Sequence, residues 1–130
     1  MSTYFSAPQR QFPATLLRIL VGAWYLPHVY SKIVGFDNAA GFFAKAGLQP
    51  GNAFVVLAGV AELAVALALI FGVFTRYAAL GSALIMAVAA YAIVAVGGWG
   101  WAWSGGGIEY LVFWGIASLI VFAQARGKSR

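Results

Sequence analysis

Residues 53–76 read AFVVLAGVAELAVALALIFGVFTR. Across residues 53–74 a single ionisable side chain, Glu62, interrupts the apolar run. About 20 such residues make a helix long enough to cross the hydrocarbon core of a bilayer. Asn52 is placed to cap its start, and Thr75 and Arg76 mark the return to water. Lipid leaves the backbone no partners outside its own segment, and no part of the chain shows the alternation of a barrel strand. The stretch is therefore a membrane-spanning helix, and it sets the fold class for the rest.

Three further runs meet the same test in either direction. They cover residues 13–34, with Pro13 suited to an opening helical turn, residues 77–96, and the shortest, residues 108–123. The expectation is an all-α membrane protein, a four-transmembrane-helix bundle forming one integral membrane domain over residues 1–130. Composition agrees: hydrophobic residues reach 63% and charged residues only 8%, against about 25% charged in a soluble domain. So few charges could not coat a soluble surface. Arg18 interrupts the first apolar run, so no cleaved signal peptide is expected.

Charge placement orients the bundle. Arg10, Arg18, Arg76, Arg126, Lys128 and Arg130 fall on one side, and Lys32 and Lys45 on the other. The richer side is cytoplasmic, which puts both termini inside. The net charge of +5 is thereby a topology signal. It carries no aromatic-interleaved basic stripe, so nucleic acid is not an expected partner. Arg76 reads as a topology determinant that snorkels to the headgroups.

Two longer connections then face outward. The first, FDNAAGFFAKAGLQPG from Phe36, reads as a short interfacial helix between helices 1 and 2, capped by Asp37 or Asn38 and ended by Gly47. Ala39, Phe42, Phe43 and Ala46 share one of its sides. The second carries Trp99, Trp101 and Trp103 at alternate positions among glycines. They are either an interfacial belt or a lid that stacks on a flat ligand. Rows of small residues, Ala64, Ala68 and Gly72 and then Ala79, Ala83 and Ala87, suit close packing inside the bundle.

A charge inside a span needs a named partner. Glu62 lies nine residues past Ala53, roughly 14 Å deep at helical rise. One stripe of the first helix carries Arg18, Tyr25, His28 and Lys32, and His28 is nearest the level of Glu62. Glu62 with His28 or Arg18 is one expected polar contact. Lys32 with Glu109, which opens the last helix at the outer level, is the other. Either contact could be purely structural. Without cysteine, thiol chemistry is excluded, and a lone histidine with scattered carboxylates argues against a metal site. No nucleotide loop or hydrolase elbow is present.

These segments resemble the DoxX family of small four-helix membrane proteins. The resemblance is carried by HVYSKIVGF with Lys32, by FFAKAGLQP, by AGVAELAVALALIFGVFTRYAAL with Glu62, Gly72 and Arg76, and by GGGIEY with Glu109. It spans residues 16–122 and implies a bundle in a prokaryotic cytoplasmic membrane. Some relatives look like subunits of thiosulfate:quinone oxidoreductase or of terminal oxidase systems, others like partners of secreted redox proteins. Three functions follow. The first is a quinone-linked subunit, not a complete enzyme, in which Glu62 and His28 move protons while Arg18, Tyr25, Lys32, Glu109 and the three tryptophans bind the ligand. The second is a non-enzymatic partner or assembly factor for another protein, alone or as a homo-oligomer. The third, a small-metabolite carrier, is disfavoured by the unbroken spans.

Overall fold

The computed structural model describes residues 7–126, whose regular structure is all helix, with no strand among those residues. Lys128 and Arg130 lie outside them, and the side chains of Arg10, Trp103 and Arg126 are likewise not described. In chain order the helices are α1 (Ala7–Ala23), α2 (Tyr25–Val34), α3 (Phe36–Lys45), α4 (Gly51–Phe71), α5 (Thr75–Gly97) and α6 (Glu109–Arg126).

The first expected span, over residues 13–34, is two helices. Its helical run begins earlier, at Ala7, so Pro13 sits inside α1 and not in its opening turn. It breaks at Trp24 because Pro27 has no N–H to return to the carbonyl of Ala23. Trp24 keeps helical dihedrals (φ −65°, ψ −17°), so α2 continues from α1 after a local defect.

Both caps expected from asparagine and aspartate move. Pro50 is the N-cap of α4, which places Asn52 inside the first turn. Gly35 is the N-cap of α3, with no side-chain cap, and Asp37 lies in the first turn, where a carboxylate favours the helix dipole. Gly47 does end α3, at φ 88°, with Leu48 N–H donating to Phe43 O at 2.9 Å. Gly72 ends α4 in the left-handed region (φ 74°), a conformation that costs a β-carbon-bearing residue about 1–2 kcal/mol.

α4 and α5 are long and apolar enough to cross a membrane, and α6 is apolar but shorter. Large apolar side chains on their outer faces are bare: Val60 is 63% exposed and Phe113 74%. A surface of that kind belongs against lipid. Inside, α1 meets α4 where Gly22 faces Leu69 and Ala66, and α5 lies along α6 around Ala79, Met86, Trp114 and Val121. The small residues that permit this differ in part from the expected rows. Ala66 and Ala79 are fully buried, whereas Ala64 and Ala87 are exposed. α3 is more than a surface helix. It buries Ala40, packs on α4, and is tied to α5 at its C-cap, where Tyr91 Oη donates to the O of the buried Ala46 at 3.2 Å.

Candidate functional site

The α1 half of the first stripe and the α2 half go to different places. Arg18 reaches the end of α4, where Nη1 donates to Leu69 O at 2.9 Å. A β-carbon at Gly72 would collide with the same guanidinium. Leu69 is seven residues, about 10 Å along the helix, from Glu62. Arg18 therefore does not pair with Glu62; it serves the carbonyls that α4 leaves unsatisfied at its C-terminus.

Tyr25 is wholly buried, and its hydroxyl meets Ser82 Oγ at 2.6 Å, with the Ser82 carbonyl at 3.2 Å. Ser82 Oγ lies 2.7 Å from Ser118 Oγ, which donates to Trp114 O at 2.9 Å. Three buried hydroxyls thus satisfy one another and tie α2, α5 and α6 together. Tyr25 is a core tether here, not a wall of a binding site.

The charged pair is Lys32 with Glu62. Lys32 Nζ donates to Glu62 Oε1 at 3.1 Å, and the two side chains are 17% and 8% exposed. Both expected pairings are thereby corrected. Depth matching along the backbone had put His28 at the level of Glu62, but the lysine stem is about 6 Å long and spans the extra turn. Glu109 opens α6, and among the described residues Lys32 pairs with Glu62 and not with Glu109. His28 packs its ring against Trp114 (5.1 Å, edge-on) and Tyr110 (6.4 Å). No hydrogen bond joins it to Glu62 among the described residues.

Beside the ion pair lies a cavity of about 710 Å³. α3 roofs it with Ala39, Phe42 and Phe43, and Leu57, Ala58 and Ala61 of α4 face Leu84, Ile85 and Val88 of α5 across it. Its polar wall is short: His28, Ser31, Lys32, Asn38, Glu62 and Tyr110. An apolar space with a few convergent polar groups has the make-up of a small-molecule site. α4 and α5 touch below it, where Gly81 approaches Val65. Above it, Tyr91 and Ala46 close the top. Between those two contacts the half-open cavity is flanked by the bare side chains of Leu57 and Leu84, 61% and 66% exposed.

Sequence reasoning placed His28, Lys32 and Glu62 in one site, and the structure brings these three together at the cavity. Tyr110 was missed; its position next to Glu109, on the first turn of the helix facing α2, was the available signal. Arg18, Tyr25 and Glu109 do not line the cavity, and neither do Trp99 and Trp101. Those two tryptophans are 74% and 54% exposed, on a loop closed by Glu109 N–H donating to Trp101 O at 3.1 Å. Arg76 donates through Nη2 to Tyr77 Oη at 2.9 Å and lies over that ring, far along α5 from the cavity. No group of histidine, aspartate and glutamate able to hold a metal occurs among the described residues.

A family model described as DoxX matches residues 14–95. That segment holds Arg18, Tyr25, His28, Lys32, Glu62 and Arg76, and stops before the tryptophan loop and Glu109. No curated protein and no solved structure matches the chain.

Proposed function

The chain belongs to the DoxX family of membrane proteins, and from that premise we propose that it binds a hydrophobic redox carrier of the quinone class in the cavity beneath α3. It acts as a membrane subunit beside a redox partner and not as a complete enzyme. In this reading α1 and α2 together, α4, α5 and α6 are four passes through a prokaryotic cytoplasmic membrane. The Arg18 end and both termini face the cytoplasm, and α3 lies at the outer surface.

One observation carries the proposal: a lysine–glutamate pair, its glutamate midway along an apolar helix long enough to cross a membrane, sits against a large apolar space. A pair that only fastened two helices would gain nothing from such a space, since desolvated charges are costly and lipid-embedded ones mark function by default. The residues fit a quinone in size and polarity. When bound, it would supply two-electron, two-proton redox chemistry. Lys32 Nζ and Tyr110 Oη are donors suited to a carbonyl oxygen, Glu62 and His28 can hold and pass protons, and Phe42 and Phe43 keep water out.

Solvent extraction of the gently purified protein, followed by mass spectrometry, tests this. Quinone near one equivalent is expected from the wild type, with at least a tenfold loss in Glu62→Gln. Extracts without quinone from both would refute the reading.

The exposed Trp99 and Trp101 favour a second role, as contact surface for another protein. Photocrosslinking from position 101 should capture one polypeptide in stoichiometric yield, and capture no better than from position 113 would dismiss that role.

A further inference from the structure

At the other end of the bundle α1, α5 and α6 line a second, small and half-open cavity of about 70 Å³. Thr15 and Arg18 of α1, Thr75 of α5, and Val121 and Gln124 of α6 are in its wall. Three features of this end belong together.

The first is charge. The chain has three acidic residues. Glu62 is held by Lys32, Asp37 is in α3, and Glu109 starts α6, the far end of that helix from Val121 and Gln124. Arg18, half-buried, thus has no aspartate or glutamate side chain at its end among the described residues, and its guanidinium donates to the neutral carbonyl of Leu69. A half-buried guanidinium at the end of an apolar bundle favours a counter-charge.

The second is an unpaired hydroxyl. Thr75 is 8% exposed, and its Oγ1 is buried with no hydrogen-bond partner among the described residues. Buried hydroxyls elsewhere in this bundle, at Tyr25, Ser82 and Ser118, are all satisfied. The third is the helix end itself. Thr75 is the first residue of the 23-residue α5, and the first bond of that helix runs from Ala78 N–H to Phe74 O. The amides of Thr75, Arg76 and Tyr77 precede it, at the positive end of the helix dipole.

We propose that Arg18, Thr75 and the first turn of α5 form a site for a phosphate-type oxyanion. The guanidinium supplies the charge, and the threonine hydroxyl and the first-turn amides supply donors, as helix N-termini do for phosphate. The oxyanion is either the headgroup of an anionic phospholipid or a free phosphate. The site is separate from the quinone cavity and does not depend on it.

The test uses the full chain in neutral detergent, titrated with dioleoylphosphatidylglycerol and followed by native mass spectrometry, with inorganic phosphate as competitor. One tightly held lipid is expected. Its affinity should fall at least tenfold in Arg18→Gln and about fivefold in Thr75→Val, a change that leaves net charge untouched. Lys45→Gln, a surface lysine at the opposite end, should change it less than twofold. Displacement by millimolar phosphate would assign the site to a soluble anion, and resistance to it would assign the site to the lipid headgroup. If no lipid is held and phosphate also fails to bind by calorimetry, the proposal is overturned. Binding unchanged in Thr75→Val overturns it as well, and that variant keeps the test valid even if Arg18→Gln fails to fold.

Discussion

Two polar clusters sit inside this apolar bundle, and they are built in opposite ways. Around Tyr25, Ser82 and Ser118 every hydroxyl finds another hydroxyl or a carbonyl, and all three side chains are fully buried. Around Lys32 and Glu62 the charges also meet, but about 710 Å³ of apolar space lies beside them. The difference lies in the side chains that set helix spacing. Gly22, Ala66 and Ala79 let α1, α4, α5 and α6 approach near the first cluster, whereas α3 roofs an open space between α4 and α5 beside the second. Polarity in a membrane bundle is thus structural where it is saturated within a closed core. It points to a ligand where it borders a space the protein does not fill.

The widest separation between the two clusters should appear on removing one charge. Lys32→Met leaves Glu62 buried without its partner and should cost about 3 kcal/mol in detergent unfolding. Lys32→Met combined with Glu62→Leu should recover most of that loss. A single-variant cost below about 1 kcal/mol would mean the pair is solvated, and the contrast with the closed cluster would collapse. Gly22→Ala attacks the closed side. Its β-carbon would lie 2.8 Å from Leu69 Cβ and 2.9 Å from Ala66 O, so a loss of about 2 kcal/mol is expected from overpacking. A melting temperature equal to wild type would show that the helices are not held at that distance.

Ser82→Ala removes the hydroxyl shared by Tyr25 and Ser118 and should cost about 1.5 kcal/mol, read from the same unfolding curves. The smallest effect on stability belongs to Ala61→Leu, at a residue lining the cavity. Filling empty space there should change stability by no more than about 0.5 kcal/mol while abolishing retention of quinone. If that variant were as damaging as Gly22→Ala, the space would be part of a tight core.

Much of this arrangement was legible in the residues. Lipid permits only helix at residues 53–74, so α4 followed from one apolar run, although it ends at Phe71, where Gly72 turns left-handed, and not at the expected residue 74. Glu62, His28 and Lys32 were recognisable because an ionisable side chain at membrane depth has no inexpensive reason to be there. Their pairing was not legible, because depth along a helix axis ignores how far a lysine stem extends. The break at Trp24 was written in Pro27, but the apolar run continues across it and hid the change. Arg18 shared the helical stripe of Lys32, yet fourteen residues separate them, and that distance carried it to the opposite end of the bundle. The roof formed by α3 depends on contacts of Ala40 and Ala46 with elements distant in sequence, which no local pattern encodes.

Photolabelling with an azido-ubiquinone analogue, followed by peptide mapping, tests the central claim most directly. The account predicts adducts on Phe42, Phe43 or the segment from Ala58 to Glu62, suppressed by excess decylubiquinone and lost in Ala61→Leu. Adducts confined to the tryptophan loop, or labelling that decylubiquinone does not suppress, would contradict it.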